Sequence, residues 1–531
     1  MLQIYIINKT KETKMVNIQK SKIADFSQVK REELSLFLFD KLITKLKIKA
    51  HAERAGIKKR NGITPCEIIL HYFNSMIIRS KSLHDGLIRT NALRYQTAIH
   101  DFINNAYYNF RRLHSYVAKL YTMMQPAKEG DLNLLIIDDT AFKKTGKLVH
   151  DIAKFKDNSQ KVKFYGYQCI TAVWSNMRSC IPIDFVLKIG QKQRYFGKKA
   201  QYDTDTHTFM RRKEAKQTKT QIVLGILKRA LKFRFNINFV LWDCAYNSSE
   251  VLDFIKAKMI PKGIHLISAY KKSDENVIYK EKNVKIKDLC SKAGKWERLP
   301  GTPQIKYKEA IVDMAYKKSH KKKKVNARKP KNHTKIGDVI CQLKVCFYLF
   351  PGQKKKDYRA IISTDTELSA DKILEIYFQR WSIEVVFKDL KQNFGFNTFQ
   401  ATKYGTQIAD VTLRMICYIM MCYVKDKEPK KKSLHAIQLA LFKEYERQKI
   451  AEFIKQIMKT IIYLFLKFSV AQGYNDIKDV IENYDYIYKT FYDDDFFLDK
   501  IVEIEDDRIF TKTKNRNCKI VNTLQNLPLC N

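Results

Sequence analysis

The feature that most constrains the fold is a series of short apolar runs between residues 132 and 269. Three come in succession: LNLLIID (132–138), KFYGYQCITAVW (163–174) and CIPIDFVLKI (180–189). Their length and their β-branched and aromatic content predict strands, and their succession predicts an antiparallel meander. A basic helical stretch follows from about Phe209 to Phe233, then a strand INFVLWD (237–243), a helix from about Ser248 to Met259, and a strand GIHLISA (263–269). Strands first, then alternating helix and strand, describe an α/β chain: a mixed sheet with helices on its faces.

Around this block the pattern changes. Residues 1–125 show helical periodicity with clustered Lys and Arg, as in KLITKLKIKA and AGIKKRNG, and predict an all-helical, basic N-terminal domain. Residues 270–363 alternate in short segments, ENVIYKEKNVKIKDL and VICQLKVCFYLF, around the run KKSHKKKKVNARKPK. They predict a β-rich insertion carrying a basic loop inside a domain of residues 126–425. Helical periodicity returns from Asp371 to about Val424, and residues 426–531 are expected to form a helical C-terminal region. Within it, Asn475–Asp507 holds twelve acidic residues against three lysines, a tail suited to regulating access to a basic surface or to an interaction module.

Charge then narrows the partner. The chain has 99 Lys and Arg against 55 Asp and Glu, a formal net charge of +44. Such self-repulsion is expected where the partner is a polyanion, and nucleic acid comes first. With 45% apolar residues, 17 Gly and 10 Pro, composition excludes a disordered or collagen-like chain. The apolar stretch Met415–Val424 is too short to span a bilayer, and the start MLQIYIINKTKETK lacks the order of a secretory signal. No membrane association is expected, and the compartment predicted is the cytoplasm. Eleven cysteines without a CxxC pair fit a reducing compartment. His320, His333, Cys341 and Cys346 match no standard zinc spacing, and CQLKVC alternates as a strand does.

Two predicted strands end in acidic residues: LLIIDDT supplies Asp138 and Asp139, and FVLWDCAY supplies Asp243. Carboxylates at strand ends stand where ligands of α/β sheets sit, although Asp also starts turns for local reasons. The third element is DKILEIYFQRWSIEVVFKDLKQNFGF, read as one helix. There Arg380, Glu384, Lys388 and Lys391 share a polar stripe with Tyr377 beside an apolar face of Ile376, Ile383, Phe387, Leu390 and Phe394. Ion pairing at i, i+4 is the bland alternative for that stripe. Three separated carboxylates on so basic a chain are what two-metal phosphodiester chemistry needs, with Mg²⁺ or Mn²⁺ as the two ions.

The spacing Tyr377, Arg380, Glu384, Lys391 resembles the signature of DDE transposases of the insertion sequence 4 family, and IDDT and DCAY, with Tyr246, resemble its first two catalytic blocks. The resemblance implies an RNase H-like catalytic core interrupted by a β-rich domain. It also implies that Asp138, Asp243 and Glu384 bind metal and that Tyr377, Arg380 and Lys391 contact the DNA at the transposon end. Asp138 is preferred over Asp139 because Leu134 and Ile136 share its side of the strand and the family pattern has a variable residue before Thr; Asp139 is expected to fix a turn with Thr140. Lys388, together with Lys321, Lys322, Lys323 and Lys324 of the basic loop, adds candidate DNA contacts. The expected partners are double-stranded DNA, as terminal inverted repeats and as target, and a second copy of the chain on that DNA. A structure-specific nuclease on the same fold, or a descendant that only binds nucleic acid, are the alternatives.

Overall fold

The computed structural model describes residues 42–443 except residue 60, 79–81, 91, 127–129, 158–161, 191–200, 272–275, 316–338 and 428–432, with a few further residues up to 458. The chain divides into two units, 1–441 and 442–531, and every element named below belongs to the first. The basic loop with Lys321, Lys322, Lys323 and Lys324, the histidines His320 and His333, and the acidic tail lie outside the described residues.

The described residues ahead of the sheet include the helices α1 (Ile48–Arg54), α2 (Pro65–Ile77), α3 (Leu83–Arg89), α4 (Gln96–Asn104) and α5 (Phe110–Met124). Local chemistry starts them. Thr64 accepts from the Glu67 backbone N–H while the Glu67 side chain returns to Thr64, a reciprocal cap with Pro65 in the first turn. On α5 the buried positions Phe110, Leu113, Val117 and Tyr121 follow helical spacing. This stripe meets the sheet at β4 and the long α12 (Tyr404–Lys427), so the early helices share one core with the sheet.

The sheet begins with β1 (Leu134–Lys143), β2 (Ala153–Asp157), β3 (Val162–Ser175) and β4 (Cys180–Lys188), then continues after α6 (His207–Ala215) and α7 (Lys219–Lys232) with β5 (Phe239–Trp242) and, beyond α8 (Ser249–Phe254), β6 (His265–Tyr270). β3 pairs antiparallel with β1 and β4, and β5 joins β1 and β6 in parallel, giving the local order β4–β3–β1–β5–β6. Leu134–Ile137 and all of β5 are buried, which is why these strands read as continuous apolar runs. The basic stretch expected as one helix is two, because Thr218 and Gln221 form a second reciprocal cap that restarts the chain as α7.

The insertion does not stand apart from this sheet. β7 (Asn276–Tyr279), β8 (Lys282–Lys285), α9 (Ile286–Lys292), β9 (Glu297–Leu299), β10 (Thr302–Ala315) and β11 (Val339–Leu349) are followed by β12 (Arg359–Ser363), which pairs with β6 on one side and β11 on the other. The edge that β6 would expose is thereby covered, and the sheet extends through β12–β11–β10–β7–β8. Cys341 and Cys346 lie on β11, five residues apart and so on opposite faces, and both are buried. Burial pushes their thiols up to about 11 and about 12, which keeps them protonated near neutral pH.

The turn between β7 and β8 uses Lys280 and Glu281, both at positive φ (49° and 61°). Two left-handed residues suit a two-residue hairpin, but Asn-Gly adopts them far more readily. Replacing Lys280 by Asn together with Glu281 by Gly is therefore expected to stabilise the fold by about 1–2 kcal/mol, read from the urea midpoint.

α10 (Ala370–Phe378) and α11 (Ser382–Asn393) replace the single helix expected from Asp371 onward. A 3₁₀ turn over Gln379–Trp381 separates them, and its three residues per turn rotate the following side chains relative to an ideal α-helix. The apolar face nonetheless docks: Ile376, Ile383, Phe387, Leu390 and Phe394 are all buried. α12 is the one described helix long and apolar enough to cross a membrane, and 94% of its apolar window is buried inside the fold.

One buried imidazole makes stability depend on pH. On α5, His114 donates from Nε2 to the Pro182 carbonyl at 2.9 Å and is wholly enclosed. Burial lowers it to about 4, against the opposing charge of Asp184. In the unfolded chain it takes up a proton below about 6.5, whereas in the folded chain it stays neutral until about 4. Its contribution is complete above 6.5 and is lost as pH falls toward 4, on the order of 3 kcal/mol in all. Urea unfolding of a His114→Gln variant is expected to show a flatter pH dependence across that window than the native chain.

Candidate active site

Parallel register brings the first two carboxylates together. Ile137 pairs with Trp242 across β1 and β5, so the next residues, Asp138 on β1 and Asp243 just past the end of β5, stand level. They are not both at strand ends, as the sequence suggested. β1 runs on to Lys143 because β3 continues to pair with it as far as Gly166, while β5 stops at Trp242. Gly166 sits at φ 145°, and a Cβ there would lie 2.1 Å from the Phe142 carbonyl oxygen, so only glycine permits this close pairing. Asp243 caps the 3₁₀ turn Cys244–Tyr246, accepting from the Cys244 N–H at 2.6 Å, and is exposed.

Arg380 supplies the link to the third carboxylate. From the 3₁₀ turn its Nη1 donates to Asp138 Oδ2 at 2.8 Å and its Nη2 to Glu384 Oε1 at 2.9 Å. One guanidinium thus holds a carboxylate of β1, 242 residues away in sequence, and a carboxylate of α11. Tyr377 also hydrogen-bonds Arg380; burial pushes its hydroxyl up to about 12, the cation opposes this, and the charges of Asp243 and Asp138 add to it. Burial raises Asp138 to about 6, opposed by the Asp139 N–H and Arg380 and reinforced by the charges of Asp139 and Asp243. A carboxylate desolvated to that degree gains much from a nearby cation.

Asp139 faces the other way along the strand and does different work. It accepts from Lys219 Nζ at 2.7 Å, from the Tyr246 hydroxyl at 2.5 Å and from Gln168. The turn with Thr140 does not form, because Thr140 is still within β1, where it accepts from Lys391 Nζ at 2.6 Å. Lys391 is thereby joined to the same strand as Asp138. Lys388 is exposed one turn beyond Glu384, where its charge acts on Asp389. Sequence reading passed over Lys219 and Gln168 as members of this cluster, and over Phe378, Trp381 and Val385, which are exposed along the segment that carries Arg380 and Glu384.

Residues 129–420 match the family model described as the transposase DDE domain, which is more than half of the chain. The chain belongs to the transposase DDE domain family. No individual curated protein matches it. The DDE domain spans β1 to most of α12, so Asp138, Asp243, Arg380, Glu384 and Lys391 all fall within it. A transposase acts on DNA, in keeping with the positive charge of the chain.

Members of this family normally use divalent metals. Among the described residues no three Asp, Glu, His or Cys side chains converge closely enough to hold an ion as they stand. Asp138 and Glu384 converge on Arg380, and Asp243 is level with Asp138 but turned onto its own backbone cap. The donor chemistry fits a hard divalent cation: the candidate ligands are carboxylate oxygens, and two of them already share a positive group.

Proposed function

We propose that this transposase cleaves DNA at the ends of an insertion sequence and joins the freed ends to target DNA, with Asp138, Asp243 and Glu384 as metal-binding residues. The observation that carries the reading is the placement of Asp138 level with Asp243, one residue past the pair Ile137–Trp242, together with the Arg380 bridge from Asp138 to Glu384. The order β4–β3–β1–β5–β6 supports an RNase H-like core, and the Tyr377, Arg380, Glu384, Lys391 spacing supports membership of the insertion sequence 4 family.

In this reading two Mg²⁺ or Mn²⁺ ions, when bound by the three carboxylates, supply the charge that stabilises the attacking and leaving oxygens of an in-line displacement. Asp138 is prepared for that partner by its burial, and Asp139 is kept out of the chemistry by Lys219 and Tyr246. Arg380 and Lys391 hold positive charge where a scissile phosphate would lie, and Tyr377 fixes Arg380. Water attacks in the cleavage step and a DNA 3′-hydroxyl in the joining step, so no covalent intermediate with the protein is required. Two copies of the chain, assembled on DNA at the nucleoid, would process the two ends. Residues 1–125 would bind DNA, residues 126–425 would carry the chemistry, and residues 426–531 would follow as a helical region; the lysines Lys321–Lys324 and Lys388 would add phosphate contacts.

The test uses the inverted repeats flanking the gene. Labelled repeat ends incubated with the protein, Mg²⁺ and a target plasmid should give both cleaved ends and products joined to the plasmid. Cleavage without joined products would replace this reading with a nuclease, and binding alone would replace it with a DNA-binding role. With about 6–10 phosphate contacts, affinity for the ends should fall roughly 10³- to 10⁵-fold between about 50 and 200 mM salt, measured by fluorescence anisotropy.

A further inference from the structure

Asp138 lies within β1, where it still pairs with Thr171 of β3, and Glu384 lies in α11. Asp243 stands just past β5, where strand pairing no longer fixes its backbone. What holds it is the 3₁₀ turn Cys244–Tyr246, whose Tyr246 N–H donates to the Asp243 carbonyl at 3.2 Å. That turn is tied down on two sides. Toward β1, the buried Tyr246 donates its hydroxyl to Asp139 Oδ1 at 2.5 Å, and Lys219 Nζ from α7 donates to the same oxygen at 2.7 Å. Toward β6, Asn247 Nδ2 donates to the Ala269 carbonyl at 3.0 Å. Its Oδ1 accepts from Trp242 Nε1 at 2.8 Å and from Ser268 Oγ at 3.0 Å.

A hydroxyl donating to a carboxylate makes a short, charge-assisted bond. The ammonium on the same oxygen fixes where that bond ends, so the Tyr246 ring, and with it the turn, is held at one place relative to β1. Adjacent residues of β1 thereby divide the work: Asp138 faces the Arg380 guanidinium, and Asp139 braces the turn that carries Asp243. We propose that the Tyr246–Asp139 bond sets Asp243 against Asp138, making Tyr246 a positioning residue that governs divalent-metal affinity through Asp243. This role presupposes the metal-binding assignment of Asp138, Asp243 and Glu384 made above. Partners that orient metal ligands from behind commonly change affinity by about 10- to 100-fold when removed.

The test measures Mn²⁺ affinity from the electron paramagnetic resonance of the free ion, with the full chain bound to a duplex of the flanking inverted repeat. Asp243→Asn/Glu384→Gln gives the baseline of ions held by DNA and by other carboxylates. Tyr246→Phe keeps the buried ring and removes only the hydroxyl. It should weaken Mn²⁺ binding above that baseline by roughly tenfold and raise the Mg²⁺ concentration for half-maximal cleavage by a similar factor, with the maximal rate at saturating Mg²⁺ within about twofold of native. Asp139→Leu should weaken Mn²⁺ binding likewise, and Tyr246→Phe/Asp139→Leu should bind no more weakly than Asp139→Leu alone, since both substitutions break the same bond. Native Mn²⁺ affinity in Tyr246→Phe, beside a native chain that binds above the baseline, overturns the positioning role alone, as does a double variant whose loss is the product of the two single losses. A native chain that binds no more Mn²⁺ than the baseline variant overturns the metal-ligand assignment and the positioning role with it. Should Tyr246→Phe not fold, Asp139→Leu decides on the same criteria.

Discussion

Asp138→Asn is expected to lower DNA end cleavage by on the order of 10³-fold or more, while Asp139→Asn keeps cleavage within about tenfold of the native chain. The two residues are neighbours on β1 with opposite surroundings. Asp138 is desolvated, level with Asp243 and tied to Glu384 through Arg380. Asp139 is already neutralised by Lys219 and held by Tyr246 and Gln168. Losing a carboxylate that would hold a cation removes several kcal/mol of stabilisation from the charge developing in the displacement. Losing Asp139 leaves Lys219 and Tyr246 without their acceptor, so its effect should appear in the melting temperature first. End binding should be nearly unchanged in both variants, because affinity comes mainly from Lys and Arg. An active Asp138→Asn beside an inactive Asp139→Asn would reverse the assignment.

The second large effect concerns stability. Asp151, entirely buried and at φ 56°, accepts from Arg212 Nε and Nη2 at 2.7 Å each. The pair ties the chain just before β2 to α6, and both partners are withdrawn from water. Removing one member strands the other as an uncompensated buried charge. Arg212→Met is thus expected to cost about 3–5 kcal/mol in urea unfolding. Asp151→Asn/Arg212→Met should recover part of that loss, because the second substitution removes the stranded charge. If the double variant is as unstable as the sum of the two singles, the pair is not coupled as described.

How much of this was legible in the sequence depends on whether the cause was local. The strands β1, β3, β4, β5 and β6 were readable because most of their positions are buried and leave apolar runs. Tyr377, Arg380, Glu384 and Lys391 could be picked out by spacing along one segment. That Arg380 would reach Asp138 could not, because the contact joins residues 242 apart and depends on a 3₁₀ turn that spacing alone did not suggest. The length of β1 was missed for a related reason: pairing with β3 sustains the strand through two aspartates that local preference would place in a turn. The β7–β8 hairpin hid because Lys280 and Glu281 occupy a turn usually marked by Asn-Gly. The insertion was recognised as β-rich, but its continuity with the main sheet follows from β12 returning to the edge of β6, a long-range pairing.

The central claim is that Asp138, Asp243 and Glu384 together hold divalent metal on DNA. Fe²⁺ substituted for Mg²⁺ in the protein–DNA complex, with ascorbate and peroxide, generates hydroxyl radicals that cut the polypeptide near the bound ion. The account predicts cuts clustered near residues 138, 243 and 384, suppressed by excess Mg²⁺ and absent from the Asp138→Asn and Glu384→Gln variants. Cuts elsewhere only, or cuts at these positions that persist in both variants, would contradict it.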